Sequence, residues 1–405
     1  MNFMVGQSGG PTAVINASLA GVFETARNSG AVRVLGMQHG IEGLLKGQVA
    51  DLTRLFDSDL KIELLKRTPS SYLGSCRYKL PAPVVGDEVY ETLFELFARY
   101  HVDAVLYIGG NDSMDTIAKL SAYGEAIGSP IRFVGVPKTI DNDLVCTDHT
   151  PGFGSAAKYI ATIMKEVIRD SNAYDLRSVT VAEIMGRHAG WLAGAASLAK
   201  GDDCDGPDLI LLPEVPFDPK LFLRRVDRLQ KQKESVIIAA SEGVKDRQGR
   251  FLCDLAGEGG ALDAFGHKAM LSGTSRYLAG LIQSELGCKS RAIELSTLQR
   301  CAGHLASRTD ISEAYRAGGA AVQAALEGRT GCMAALKRLS DQPYLCGTEL
   351  VNVQKVANAE KTVPLEWIEP DGMHVNAAFE AYARPLIQGE LTPMFVNGVP
   401  RHITL

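Results

Sequence analysis

Paired cysteines, long apolar runs and a surplus of positive charge are all missing from this 405-residue chain. Its eight cysteines (Cys76, Cys146, Cys204, Cys253, Cys288, Cys301, Cys332 and Cys346) form no C-x-x-C pair. That argues against a thiolate metal site or a disulfide framework and for reduced thiols. The eight histidines show no ligand spacing, and only His188, inside a glycine-rich segment beside Arg187, invites attention. No apolar run approaches the roughly 20 residues that span a bilayer. A net charge of −5 argues against nucleic acid as the main partner. Neither G-x-G-x-x-G nor the Walker pattern G-x-x-x-x-G-K-[ST] occurs, so a nicotinamide dehydrogenase lacks its fingerprint. Met1 to Gly6 passes directly into a strand-like run without a basic region or a cleavage pattern. The expectation is a cytoplasmic protein with no membrane partner.

What is present is a long alternation. A chain of this length is too large for one ordinary core, so two lobes are expected. Strand-like runs at 2–5, 32–37, 103–108, 131–136, 178–184, 208–212, 235–240 and 291–296 alternate with helical spacing. The helices are expected at 12–28, 87–101, 113–123, 155–169, 188–200, 219–232, 274–286 and 311–327. This βαβα order predicts an α/β fold of two similar Rossmann-like lobes, with mainly parallel sheets covered by helices. Gly249 to Gly260, rich in glycine and acids, reads as a surface excursion. The proline-bearing tail beyond Leu339 reads as a wrap around the lobes.

The chemistry concentrates where strands end, which is where open α/β sheets bind ligands. Pro137-Lys138-Thr139-Ile140-Asp141-Asn142-Asp143 sets a lysine, a hydroxyl and two carboxylates directly after the run 131–136. Lysine attracts phosphate, and a carboxylate takes a proton from a hydroxyl or holds Mg²⁺. Gly6-Gln7-Ser8-Gly9-Gly10-Pro11 opens the first helix, where glycines let backbone N–H groups approach a phosphate. Gly109-Gly110-Asn111-Asp112-Ser113 opens another, with a helix-capping role for Asp112 or Ser113 as the rival reading. Two like charges about 4 Å apart repel by roughly 4 kcal/mol at an effective dielectric near 20, so Asp112 disfavours a nucleotide's phosphate beside it. Met185-Gly186-Arg187 and Ser241-Glu242-Gly243 follow two later strands, and Arg291 and Gln299-Arg300 add cations. An arginine fork suits phosphate, and a carboxylate accepts from sugar hydroxyls.

Together these motifs resemble the phosphofructokinase family. The resemblance runs from Val5 to Asp310 and rests on Ser8-Gly9-Gly10, Gly74-Ser75-Cys76-Arg77, Gly109 to Ser113, Pro137 to Asp143, Met185-Gly186-Arg187, Pro213-Glu214 and Gln299-Arg300. It implies the phosphofructokinase fold, with a donor lobe of 1–154 plus about 298–345. A sugar phosphate lobe and tail would be 155–297 plus about 346–405. It implies that Asp141 is the base for the C1 hydroxyl of fructose 6-phosphate, with Asp143 orienting the site and Thr139 and Lys138 at the transferring phosphoryl group. Gly10, Arg77, Asn111 and Asp112 would lie on the donor side. Met185, Gly186, Glu242, Arg291 and Arg300 would hold the sugar or its phosphate, Arg291 across a dimer interface, and Arg187 would face the transferring phosphates. Lys361, Tyr382 and Arg384 resemble late sugar phosphate contacts.

ATP-using members of this family carry glycine where this chain has Asp112 and Lys138, and diphosphate-using members carry Asp and Lys. The resemblance therefore implies inorganic diphosphate as donor, in a near-equilibrium step of glycolysis and gluconeogenesis. It also implies Mg²⁺ as cofactor, held by Asn111 and Asp112, and a homodimer or homotetramer. The chain departs from the family pattern in three places. Asn111 stands where many members have a metal-holding aspartate, and Thr297 where ATP-using members have a sugar-contacting histidine. The arginine usually found ahead of Met185-Gly186-Arg187 has Arg177 as its nearest, displaced counterpart. Two alternatives stay open on the sequence. One is an ATP-dependent member that tolerates Asp112. The other is a non-catalytic sugar phosphate-binding regulatory subunit, which Asn111 suggests and the retained Lys138, Asp141, Asp143 and Arg187 oppose.

Overall fold

Apolar runs that do not alternate become strands buried on both faces. The computed structural model describes residues 1–255 and 272–405. Its main strands, in chain order, are β1 (Asn2–Gln7), β2 (Arg33–Met37), β3 (Val49–Asp51), β4 (Ala104–Gly109), β5 (Arg132–Pro137) and β6 (Ser178–Ile184). β7 (Leu209–Leu211), β8 (Ser235–Ser241), β9 (Lys289–Glu294), β10 (Cys332–Asp341) and β11 (Tyr344–Asn352) follow. Every residue of β4 and β8 is buried, as their unbroken apolar runs require.

The first sheet has the order β11-β10-β5-β4-β1-β2-β3, and the second β7-β8-β6-β9. Pairing is parallel throughout the second sheet and in the centre of the first. The edge strands β3 and β11 of the first sheet run antiparallel. From β1 the chain moves outward to β2 and β3, then returns to the other side of β1 for β4 and β5. That reversal opens a crevice at the carboxyl ends of β1 and β4. The register Gln7↔Ile108 and Gly109↔Pro137 brings the ends of β1, β4 and β5 level, so three motif-bearing loops share that crevice.

The late helix Arg308–Leu326 packs on the first helix, Ile15–Asn28, over this sheet. Glycines let the two backbones touch: a Cβ on Gly21 would lie 1.9 Å from Tyr315 O, and one on Gly318 2.1 Å from Ser18 O. In this way a segment three hundred residues away in sequence becomes part of the first core.

Four expectations change. The helix expected from His188 starts at Trp191 and tightens to a 3-10 turn at Ala195–Ala199, because Gly186 (φ 134°) keeps the preceding residues in a loop. The tail does more than wrap: β10 and β11 form a hairpin that extends the first sheet to Asn352, so the lobe change expected near 345 falls inside a strand. In the segment from Gly249, Leu252–Leu255 forms a helical turn with Leu252 and Cys253 buried rather than a purely surface excursion. Residues 256–260 of that segment lie outside the described residues. Finally, neither Asp112 nor Ser113 caps its helix: Gly110 takes the cap position and the helix begins at Asn111.

Candidate active site

The loops from both sheets enclose a cavity of about 730 Å³. Gly10, Arg77, Asn111, Asp112, Lys138, Thr139, Asp141 and Asp143 reach it from the first sheet, and Met185, Arg187, Glu242 and Arg300 from the second side.

On the first side, glycines make room for cations. A Cβ on Gly9 (φ 76°) would stand 3.3 Å from Lys138 Nζ, and one on Gly10 3.2 Å from Arg300 Nη1. Lys138 is only 2% exposed, and its Nζ donates to Gly10 O at 2.7 Å. Burial pushes its pKa down to about 8, while the negative charges of Asp141 and Asp143 pull it back up. Ser75 Oγ donates to Gly9 O at 2.6 Å, which ties the strip carrying Arg77 to the same loop.

The catalytic-type cluster is held by its own loop. Asp141 N donates to Thr139 Oγ1 at 3.1 Å, and that hydroxyl lies 3.4 Å from Asp141 Oδ2. Burial raises the pKa of Asp141, opposed by the charges of Lys138, Arg187 and Arg300. Asp143 is raised too, by burial and then by the charge of Asp141. Two carboxylates so placed titrate as a pair. Between them Asn142 adopts φ 55°, a left-handed conformation that costs energy unless it is braced. Its Nδ2 donates to Tyr382 Oη at 2.9 Å, and its Oδ1 accepts from Thr150 N at 3.0 Å.

On the second side, Gly186 N donates to Glu242 Oε1 at 3.4 Å, and Met185 N to Gln299 Oε1 at 3.3 Å. Burial, then the charge of Asp141, lifts Glu242 to about 8.

Several expected site residues sit elsewhere. Arg291 projects from the edge strand β9, its side chain 55% exposed and 3.9 Å from Asp170, away from the cavity of its own chain. Tyr382 is not a cavity residue. Its ring packs against Trp191 and Trp367, and its hydroxyl donates to Asp148 O at 2.7 Å, so it braces the loop behind Asp141. Arg384 spends its guanidinium on Leu198 O at 2.9 Å. Lys361 likewise donates to Asp148 O at 2.7 Å. Asn111 bonds the tail with both ends of its amide: Nδ2 donates to Ala359 O at 2.7 Å and Oδ1 accepts from Asn358 N at 2.6 Å. Asp112, Asp141, Asp143 and Glu360 also line the cavity, and carboxylate oxygens are the donor type that Mg²⁺ takes.

Sequence reasoning missed Asn358 and Glu360, which line the cavity from the tail. No local motif marks them, because only the tertiary path brings them there. Thr297 also lines the cavity.

Comparison with known proteins agrees with the geometry. The phosphofructokinase family model matches residues 2–325. The pyrophosphate–fructose 6-phosphate 1-phosphotransferase of Halomonas elongata is 42% identical over 404 residues, 99% of this chain and 95% of that one. The protein of the same name from Xanthomonas campestris pv. campestris is 43% identical over 407 residues, covering 100% and 96%. The crystal structure of the pyrophosphate-dependent phosphofructokinase of Nitrosospira multiformis superimposes with a TM-score of 0.89 at 39% identity, covering 99% and 95%.

Proposed function

This chain belongs to the phosphofructokinase family, and from that premise we propose that it is a diphosphate–fructose-6-phosphate 1-phosphotransferase. It transfers a phosphoryl group from diphosphate to the C1 hydroxyl of fructose 6-phosphate, reversibly, giving fructose 1,6-bisphosphate and phosphate. The observation that carries the donor choice is the pairing of a buried Lys138, fixed on Gly10 O, with Asp112 in the first turn of its helix at one end of the cavity. An ammonium there suits a small, highly charged donor. The carboxylate disfavours an additional phosphate with a nucleoside behind it.

In this reading Asp141 accepts the C1 hydroxyl proton as that oxygen attacks phosphorus, and its raised pKa makes it a better base than an ordinary carboxylate. Thr139 and Lys138 hold the transferring group, and Arg187 balances its charge. Met185, Gly186, Glu242 and Arg300 hold the sugar phosphate, and Gly10, Arg77 and Asp112 the donor. Asp112, with Asp141 and Asp143 lining the same cavity, would help to hold Mg²⁺, which when bound neutralises diphosphate oxygens.

We assign the donor to the lobe of the first sheet and the sugar phosphate to the lobe of the second. A cytoplasmic enzyme accords with eight free cysteines. Among the described residues no helix is long and apolar enough to cross a membrane. A homodimer or homotetramer accords with Arg291, which lies half-exposed on an edge strand outside its own cavity.

Initial rates with fructose 6-phosphate and either diphosphate or ATP, with and without Mg²⁺, test the reading. Turnover with diphosphate and Mg²⁺ is expected; turnover with ATP alone overturns it.

A further inference from the structure

We infer that Asn111 is a positioning residue for the phosphoryl donor: it latches tail segment 358–361 across the donor end of the cavity and so fits that end to diphosphate. This rests on the donor reading above and names the residue that enforces it alongside Asp112 and Lys138.

The latch is read from a set of ties to three of its four residues, Asn358, Ala359 and Lys361. Asn358 N donates to Asn111 Oδ1 at 2.6 Å, and Asn111 Nδ2 donates to Ala359 O at 2.7 Å. The two bonds fix which way the amide faces, since a flipped amide would set donor against donor and acceptor against acceptor. At the far end of the segment Lys361 N donates to Asp143 O at 2.7 Å, and Trp191 Nε1 donates to Lys361 O at 2.9 Å. Lys361 Nζ, buried, adds a bond to Asp148 O at 2.7 Å. The segment therefore bridges the first turn of the helix Asn111–Ala126 and the loop that carries Asp141 and Asp143. Asn358 is held at φ 62°, a left-handed conformation that the Asn111 amide stabilises from outside the segment.

This has two chemical consequences. Asn358 and Glu360 become wall residues of the cavity that Asp112 also lines. Glu360 also brings a negative charge close enough to Asp143 to be felt there. A ligand that extends past a diphosphate at this end meets the acids of Asp112 and Glu360 together with the strap's backbone. Asn111 itself touches the strap, and its effect on the donor passes through it. An aspartate at 111 would still accept from Asn358 N, but it would place a carboxylate against Ala359 O. The amide is the side chain that satisfies both tie points.

The test uses the full chain as wild type, Asn111→Ala and Asn111→Asp. Hydrogen exchange of the peptide spanning 357–362 is read by mass spectrometry, and steady-state kinetics are measured for each substrate. Losing two backbone ties should speed exchange of that peptide about tenfold in Asn111→Ala and raise KM for diphosphate by about tenfold. KM for fructose 6-phosphate should stay within about twofold, a split that a general loss of structure would not give. Asn111→Asp, nearly the same shape, should fall between the two and covers the case in which the alanine variant does not fold. Unchanged exchange at 357–362, or KM values for both substrates rising together, overturns the latch. If wild type turns over with ATP alone, the donor reading fails and its fit to diphosphate with it. Faster exchange in Asn111→Ala would in that case still uphold the latch itself.

Discussion

Lys138 Nζ donates to the carbonyl oxygen of Gly10 at 2.7 Å, so the ammonium at the end of β5 is anchored to the loop after β1. The bond spans two strand ends with β4 between them, and it fixes where the ammonium stands in the cavity. Changing Asp112 and Lys138 together to glycine should weaken diphosphate use and admit ATP. The measurement is the ratio of kcat/KM values for the two donors, and an unaltered ratio would refute the assignment.

The same burial that anchors Lys138 gives it a titration within the working range. Its pKa lies at about 8, so the free enzyme carries the ammonium below that pH and loses it above. kcat/KM for diphosphate should therefore fall on the alkaline side with a midpoint near 8, because this parameter reports free-enzyme groups. In Lys138→Arg the limb should move beyond the accessible range, since guanidinium keeps its proton.

Asp141 and Asp143 both sit above the ordinary carboxylate range, through burial and, for Asp143, the neighbouring charge. The acid limb of the rate profile should accordingly lie at higher pH than an unperturbed aspartate would give. Replacing Asp141 by Asn should lower kcat by about 10²–10⁴-fold, the usual worth of a general base. A variant with wild-type kcat would remove Asp141 from the chemistry.

Tyr382→Phe keeps the ring packing on Trp191 and removes the hydroxyl that bridges Asn142 and Asp148. It leaves Asn142 Nδ2 without this acceptor. A stability loss of about 1–3 kcal/mol is expected by chemical denaturation. kcat should drop with it, because the loop flanked by Asp141 and Asp143 loses its brace. Normal kcat and stability together would show that the brace is dispensable.

Buried His149 lies 2.7 Å from Asp148 Oδ2 and 2.6 Å from Glu313 Oε2. These carboxylates raise its pKa above 6.5 against the burial that lowers it, and His149 in turn keeps theirs low. A raised histidine contributes stability that is complete below its unfolded value and is lost as pH rises through its folded value. The lowered carboxylates contribute above their unfolded values and lose it as pH falls. Thermal stability should thus peak between about pH 4.5 and 6.5 and decline on the alkaline side. His149→Gln should flatten that decline and cost about 1–3 kcal/mol, since buried Glu313 Oε2 loses its imidazole partner and keeps only Arg316 and Tyr344 at Oε1. A wild-type Tm profile in the variant would show that His149 does not titrate in this window.

The sequence by itself determined the strands and the order of the chemistry along them. Apolar runs such as 104–108 and 133–136 are buried on both faces. The residues that follow such runs are presented at strand ends, so Lys138, Asp141 and Asp112 were legible as residues of the cavity. What only the tertiary structure decided concerns side chains whose partners are hundreds of residues away. Asn111 reads as a weakened metal ligand until the tail arrives to use both ends of its amide. Tyr382 and Arg384 read as ligand contacts until their polar atoms are seen bonded to the backbone behind the site. Hydrogen-bonding capacity is fixed by residue type, but the partner that uses it is fixed by the path of the chain. No local pattern could show that Asn358 and Glu360 line the cavity.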